Sequence, residues 1–167
     1  MSDLPGYSKF LVIGLPGIGK TTFSERLARK FKIPHIEGDR YFWVEGEGQV
    51  EVEEFRKKID GMTEKGRWIY EGHYRKVYDL ICDRVDTMIW IDLPFFTALK
   101  RNFIRSKQQI GLKRTLTEKQ GPFLWLIFNG SRMLRDYKQT LKDYEDKGVP
   151  TFRLTKSEQL ENWLKSD

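Results

Sequence analysis

Sulfur and imidazole are scarce in this chain: one cysteine, Cys82, and two histidines in 167 residues. A lone thiol cannot close an internal disulfide, and with no second sulfur ligand nearby it suggests neither a zinc site nor a redox pair, so Cys82 reads as a small buried hydrophobe. His35 and His73 are isolated and make no metal-binding spacing; only His73, close to Glu71, invites a test. Long apolar runs are missing as well. The longest, Phe123 to Phe128, is far short of a membrane span, and Met1 to Pro5 lacks a basic leader region, so the expected location is the cytoplasm, without a membrane partner. Repeats and low-complexity stretches do not occur.

Hydrophobic residues make up 39% of the sequence and aromatics 14%, enough apolar surface for a proper core, which excludes a disordered chain. The length suits one domain over residues 1–167. A net charge of +6 implies an anionic partner, whether nucleotide, nucleic acid or another phosphorylated molecule.

Along the chain, Phe10 to Ile13 is an apolar run ending in glycine, as in a strand buried on both faces. Phe23, Leu27, Ala28 and Phe31 then recur at helical spacing. A second strand is expected over Lys32 to Ile36, closing at Gly38-Asp39, and Val52, Phe55, Ile59 and Met62 mark an amphipathic helix ending near Gly66. Trp68 to Gly72 and Met88 to Asp92 read as strands each closed by a carboxylate, with a short helix near Val77 to Cys82 between them. Pro94 opens a helix with Phe96, Leu99 and Phe103 on its apolar face. Ser106 to Gln120 is basic and aperiodic, a mobile excursion. Leu124, Ile127, Phe128, Leu134, Tyr137, Leu141 and Tyr144 mark a long helix, Val149 to Leu154 a last strand, and Thr155 with Glu158 has the form of a capping box for a final helix. Strands alternating with helices predict an α/β domain, a parallel sheet between helical layers.

Gly14-Leu15-Pro16-Gly17-Ile18-Gly19-Lys20-Thr21 satisfies G-x-x-x-x-G-K-[ST] between an expected strand and an expected helix. Its glycines let backbone N–H groups face phosphate oxygens, and the helix that follows adds its positive end. Gly14, Pro16, Gly17, Ile18, Gly19, Lys20, Thr21 and Thr22 are therefore the candidate contacts to the phosphates of ATP, with Lys20 at the β and γ groups and the Thr21 hydroxyl suited to Mg²⁺. A GTPase is disfavoured: N-K-x-D is absent, and the sole D-x-x-G precedes the loop. Glu71 and Asp92, at the ends of strands flanking the first, are the further candidate Mg²⁺ carboxylates. Arg101 and Arg105, four apart on one helix, could converge on the transferring phosphate, and Arg132 and Arg135 could close from the other side. Asp39 faces the expected acceptor side and would orient or deprotonate a hydroxyl acceptor, whereas a phosphate acceptor would need no base. Tyr41, Phe42 and Trp43 either stack on a base or pack.

These residues resemble the adenylate kinase superfamily of small P-loop kinases, and among them the bacterial DNA topology modulation (FlaR-like) proteins. Beyond the phosphate loop, Asp39-Arg40-Tyr41-Phe42-Trp43 is similar to that group's D-x-x-[YF]-W, and Trp68-Ile69-Tyr70-Glu71-Gly72-His73-Tyr74 to its W-x-x-D-G-N-Y. Ile89 to Pro94, followed by Arg101 and Arg105, looks like the strand, D-x-P and lid-side arginines of nucleoside monophosphate kinases. The resemblance implies a P-loop NTPase sandwich with a five-stranded parallel sheet of order 2-3-1-4-5, a lid near 106–121, and transfer of the ATP γ-phosphate to a small acceptor. By the same resemblance Glu71 is the Mg²⁺-side carboxylate and Arg75 an acceptor-phosphate contact; Asp39, Arg40, Trp43, Glu71, Gly72, Arg132 and Arg135 are the other candidate acceptor-side residues. The sequence departs from the pattern in having Glu71 for Asp, His73 for Asn or Phe, and no arginine three residues after Asp39, which leaves the acceptor open. A nucleotide-dependent regulator or nucleic-acid-associated ATPase uses the same loop, and Arg56-Lys57-Lys58 and Lys113-Arg114 permit it.

Overall fold

The structure is a computed structural model that describes residues 6–44, 48–108 and 116–165; of these, the side chains at 44, 105–108 and 116–123 are not described. In chain order the elements are β1 (Lys9–Gly14), α1 (Lys20–Phe31), β2 (His35–Glu37), α2 (Gly38–Phe42), β3 (Trp43–Val44), β4 (Gly48–Gln49), α3 (Val52–Thr63) and β5 (Trp68–Glu71). A 3-10 turn (Arg75–Val77) leads into α4 (Tyr78–Cys82), followed by β6 (Thr87–Ile91), α5 (Phe95–Gln108), α6 (Leu116–Asp146), β7 (Thr151–Leu154) and α7 (Ser157–Lys165).

The main sheet is parallel throughout, ordered β2-β5-β1-β6-β7. Counted without the small β3–β4 hairpin, this is the expected 2-3-1-4-5. Every residue of β5 and β6 is buried, and all of β1 after Lys9. Such period-one burial arises only when helices cover both faces, and it explains why these strands read as unbroken apolar runs. Arg26 grips Glu161 with two hydrogen bonds of 2.6 and 3.0 Å, tying α1 to α7, while the rings of Tyr78 and Tyr144 link α4 to α6. Cys82 is buried as expected. No helix among the described residues is long and apolar enough to cross a membrane.

Several expectations need correction. The second strand begins at His35, because Lys32 ends α1 in the left-handed conformation and Pro34 has no amide for a ladder. Asp39 accordingly lies in the first turn of α2 and not at a strand end. On α5 the inward positions are Ala98 and Asn102, with Phe95 and Leu99 partly covered; Phe96 is 80% exposed and Phe103 46%. On α6, Leu126, Tyr137 and Tyr144 are buried, whereas Leu124, Ile127 and Phe128 face outward. On α5 the inward row is thus Ala98 and Asn102, four apart, and not the row of Phe96 and Phe103. The irregular stretch is also shorter than 106–120, since α5 continues to Gln108 and α6 starts at Leu116; residues 109–115 of the expected lid lie outside the described residues. Finally, the cap of α7 is made by Gln159, whose side-chain oxygen accepts from the Thr155 and Lys156 amides at 2.7 and 2.9 Å. With the helix starting at Ser157, Gln159 and not Glu158 holds the third position from which a side chain reaches back to the cap.

Candidate active site

The G-x-x-x-x-G-K-T loop joins the C-terminal end of β1 to the N-terminus of α1, at the edge of the sheet where ligands of such folds bind. Gly19 is the N-cap, with φ 106, and a Cβ there would lie 2.8 Å from a guanidinium nitrogen of Arg101. Glycine thus allows both the turn and the close approach. It also gives the helix no side-chain cap, so the positive end of α1 is directed at an outside anion.

What shapes this loop is the set of side chains that hold its carbonyl groups. The Tyr137 hydroxyl donates to Gly14 O at 3.1 Å, the Asn102 amide to Pro16 O at 2.8 Å, and Arg101 to Ile18 O at 2.5 Å. Leu15 O accepts from Lys20 Nζ at 3.2 Å and from the Ile18 amide at 3.1 Å. A trans peptide unit points its C=O and its N–H in opposite directions. Holding the carbonyls of Gly14, Pro16 and Ile18 from outside therefore turns the N–H groups of Leu15, Gly17 and Gly19 the other way, toward the cradle. Asn102 is 4% exposed and also donates to Ala98 O at 2.9 Å, which fixes its side chain against the helix that carries it. Sequence reasoning missed Asn102, and it placed Tyr137 on a long helix without a role at the loop. The one available signal was a polar residue four after Ala98, on a row that otherwise faces inward.

Thr21 and Glu71 meet directly: the Thr21 hydroxyl donates to Glu71 Oε1 at 2.8 Å. Because its proton is committed to the carboxylate, the hydroxyl oxygen keeps its lone pairs for a cation, and Glu71 stands one hydrogen bond away. Among the described residues no group of three or more His, Cys, Asp or Glu could hold a metal alone. One hydroxyl and one carboxylate beside a phosphate cradle is the donor set of a Mg²⁺ shared with ligand phosphates and water, so the residues present fit MgATP. Asp92 is not brought to this pair; Arg153 binds its Oδ2 through two nitrogens at 2.8 and 2.5 Å.

Glu71 is 5% exposed, and its second oxygen lies 2.9 Å from His35 Nε2. This corrects the reading of the histidines. His73, expected near Glu71, instead turns to the Thr140 hydroxyl at 2.9 Å and sets its ring edge-on against Tyr137, while the discounted His35 holds Glu71. Burial pushes the His73 imidazole below its ordinary pKa of 6.5.

Among the residues expected on the acceptor side, the Tyr74 hydroxyl donates to Asp39 Oδ1 in a short hydrogen bond. Burial first, then this bond, pushes the Tyr74 phenol far above its ordinary range, so it remains a donor. Gly72 permits the arrangement, since a Cβ there would lie 3.0 Å from the Tyr74 ring. Asp39 itself is exposed. Arg40 is paired with Glu37 at 2.5 Å. Phe42 packs on Phe55 and Tyr74, whereas Trp43 is 54% exposed. Arg75 is exposed on the rim of a cavity of about 340 Å³ that His73, Tyr78, Asp136, Gln139, Thr140 and Asp143 complete. Arg132 and Arg135 are exposed on α6, and Arg132 shares the helical row of Asp136 and Thr140 that lines the cavity, four and eight residues on. The side chain of Arg105 lies outside those described, so the Arg101–Arg105 pairing is represented by Arg101 alone.

The sheet order, the loop and the Thr21–Glu71 pair together define a P-loop α/β sandwich, and the chain is similar to small kinases of the adenylate kinase type. In sequence the chain is 26% identical over 138 residues to an adenylate kinase of Encephalitozoon cuniculi (strain GB-M1), covering 66% of this chain and 76% of that one. In structure it is similar to the shikimate kinase of Bacteroides thetaiotaomicron, with a TM-score of 0.54, 14% identity and 96% of each chain covered. It is equally similar to a shikimate kinase of Acinetobacter baumannii solved in complex with shikimate, TM-score 0.54 and 14% identity, covering 96% of this chain and 92% of that one. No family model matches the chain. These likenesses bear on the adenylate-kinase side of the expected resemblance, and closeness to the topology-modulation group stays a resemblance of motifs.

Proposed function

We propose that this protein is an ATP-dependent phosphotransferase that moves the γ-phosphate of MgATP to a small acceptor. The observation that carries the reading is the cradle: carbonyls held by Tyr137, Asn102 and Arg101, a lysine at its mouth, and Thr21 joined to Glu71. In this reading the loop amides and Lys20 take up the phosphate charge, and Arg101, already at Ile18, neutralises charge that develops in transfer. Mg²⁺ beside Thr21 and Glu71 would supply further charge neutralisation at the phosphates. Asp39, held by Tyr74, orients and deprotonates a hydroxyl acceptor, with Gly72, Arg75, Arg132, Arg135, Arg40 and Trp43 as the surrounding acceptor contacts and a lid over 106–121 excluding water. Kinase names among the relatives agree with this class of reaction.

The regulatory alternative draws less support. Of the basic clusters that permit it, Arg56 is bound to Asp79 and Lys58 to Glu54, and Lys113 and Arg114 lie outside the described residues.

A coupled assay of ADP release over nucleosides, nucleoside monophosphates and small hydroxylated metabolites tests the proposal. One acceptor class is expected to accelerate ADP formation, and Asp39→Asn to lower kcat on a hydroxyl acceptor by about 10²- to 10⁴-fold. If no acceptor accelerates ADP release while ATP still binds through Lys20, the transferase reading is wrong and the regulator is left.

A further inference from the structure

Glu71 is a buried carboxylate whose two oxygens are engaged separately, Oε1 by the Thr21 hydroxyl at 2.8 Å and Oε2 by His35 Nε2 at 2.9 Å. An ionised carboxylate only accepts, so the imidazole presents Nε2–H to it. The sheet dictates this contact. β2 and β5 run parallel with His35 opposite Ile69 and Glu37 opposite Glu71, and alternate residues of a strand share a face, so His35, Glu37 and Glu71 project on the same side. Glu37, directly opposite Glu71, would repel it, but Glu37 is drawn away by Arg40 at 2.5 Å. His35, one step diagonally, is left as the donor on that side. The side chain of His35 is 13% exposed, so solvent competes little for the bond.

We propose that His35 is the positioning residue of the metal-side carboxylate: it pins Oε2 so that Oε1 faces Thr21, and it thereby sets how strongly Mg²⁺ promotes nucleotide binding. This rests on the reading of the loop as a MgATP site. A Glu side chain has three rotatable bonds, and with only Thr21 attached it could swing about Oε1; a second anchor on Oε2 leaves one orientation. His35 touches neither nucleotide nor cation in this role, so its effect falls on the Mg²⁺-dependent part of binding and not on the loop amides or Lys20.

The test is the calorimetric affinity of the full chain for ATP, measured once in Mg²⁺ and once in EDTA, for wild type and for His35→Leu and His35→Gln. The leucine variant keeps the volume and loses the donor; the glutamine variant keeps an N–H. The ratio of the two affinities is expected to shrink by about 10- to 100-fold in His35→Leu, the usual cost of losing a partner that orients a metal ligand. Its affinity in EDTA should be unchanged, and His35→Gln should recover most of the ratio. An unaltered ratio in folded His35→Leu overturns the proposal, and so does an equal loss in both buffers, which would mark His35 as scaffold alone. His35→Met is read by the same criteria if the leucine variant does not fold. Failure of the wild-type protein to bind ATP in either buffer is a different result, and it removes the MgATP reading together with this one.

Discussion

Asn102 is one of three side chains that hold a carbonyl of the phosphate loop from outside. Its amide bridges Pro16 O and Ala98 O while almost wholly buried, so removing it leaves a loop carbonyl without its donor and a small void beside Gly17. Asn102→Ala is expected to lower stability by about 1 to 3 kcal/mol in denaturant unfolding, and to weaken ATP binding as the Gly17 amide loses its fixed direction. A substitution that costs stability and leaves ATP affinity unchanged would show that the loop holds its shape without this support. His73 carries a pH dependence of defined sign. Burial lowers its folded-state pKa below 6.5, so the unfolded chain binds the extra proton; the stability gained is complete above pH 6.5 and declines as pH falls toward the folded value. Thermal unfolding between pH 7 and 5 should show this decline, and His73→Gln, which retains a donor for Thr140, should flatten it.

Elements are legible in the sequence where periodicity and punctuation agree, and depart from it where a distant side-chain partner decides the outcome. The apolar runs of β1, β5 and β6 announce buried parallel strands, because a strand covered on both faces has no polar position to break the pattern. The spacing marks both α5 and α6, but Phe96 and Phe103, expected on the apolar face of α5, are exposed, as are Leu124, Ile127 and Phe128 among the residues that mark α6. Which apolar row faces the core depends on neighbours far away in sequence, here the loop carbonyl that takes Asn102 to the inward row. The site behaves likewise. Lys20 and Thr21 were legible because a local loop imposes their spacing, whereas His35 and Glu71 are 36 residues apart and meet only through the β2–β5 register. The start of α7 is a further case, where a shift of one residue moves the cap from Glu158 to Gln159. Gln159→Ala should cost about 0.5 to 2 kcal/mol in chemical unfolding, while Glu158→Ala should cost clearly less, and the reverse ranking would restore the box read from the sequence.

At the scale of the whole molecule, the parallel sheet brings the ends of β1, β5 and β2 to one edge, and the helices returning across it supply Arg101, Asn102 and Tyr137 from behind. Three loop carbonyls are thus held by side chains of helices far along the chain, which limits the conformations the loop can take. In the proposed reading Asp39, held by Tyr74, serves the acceptor, and Arg101, held at Ile18 O, serves the transferring phosphate. Titration calorimetry with ATP in magnesium buffer addresses this arrangement most directly. The wild-type chain should take up one equivalent of MgATP, and Lys20→Ala should bind it about 10- to 100-fold more weakly, the worth of one charged donor. Absence of binding by the folded wild-type protein, or equal affinity in the lysine variant, would contradict the account.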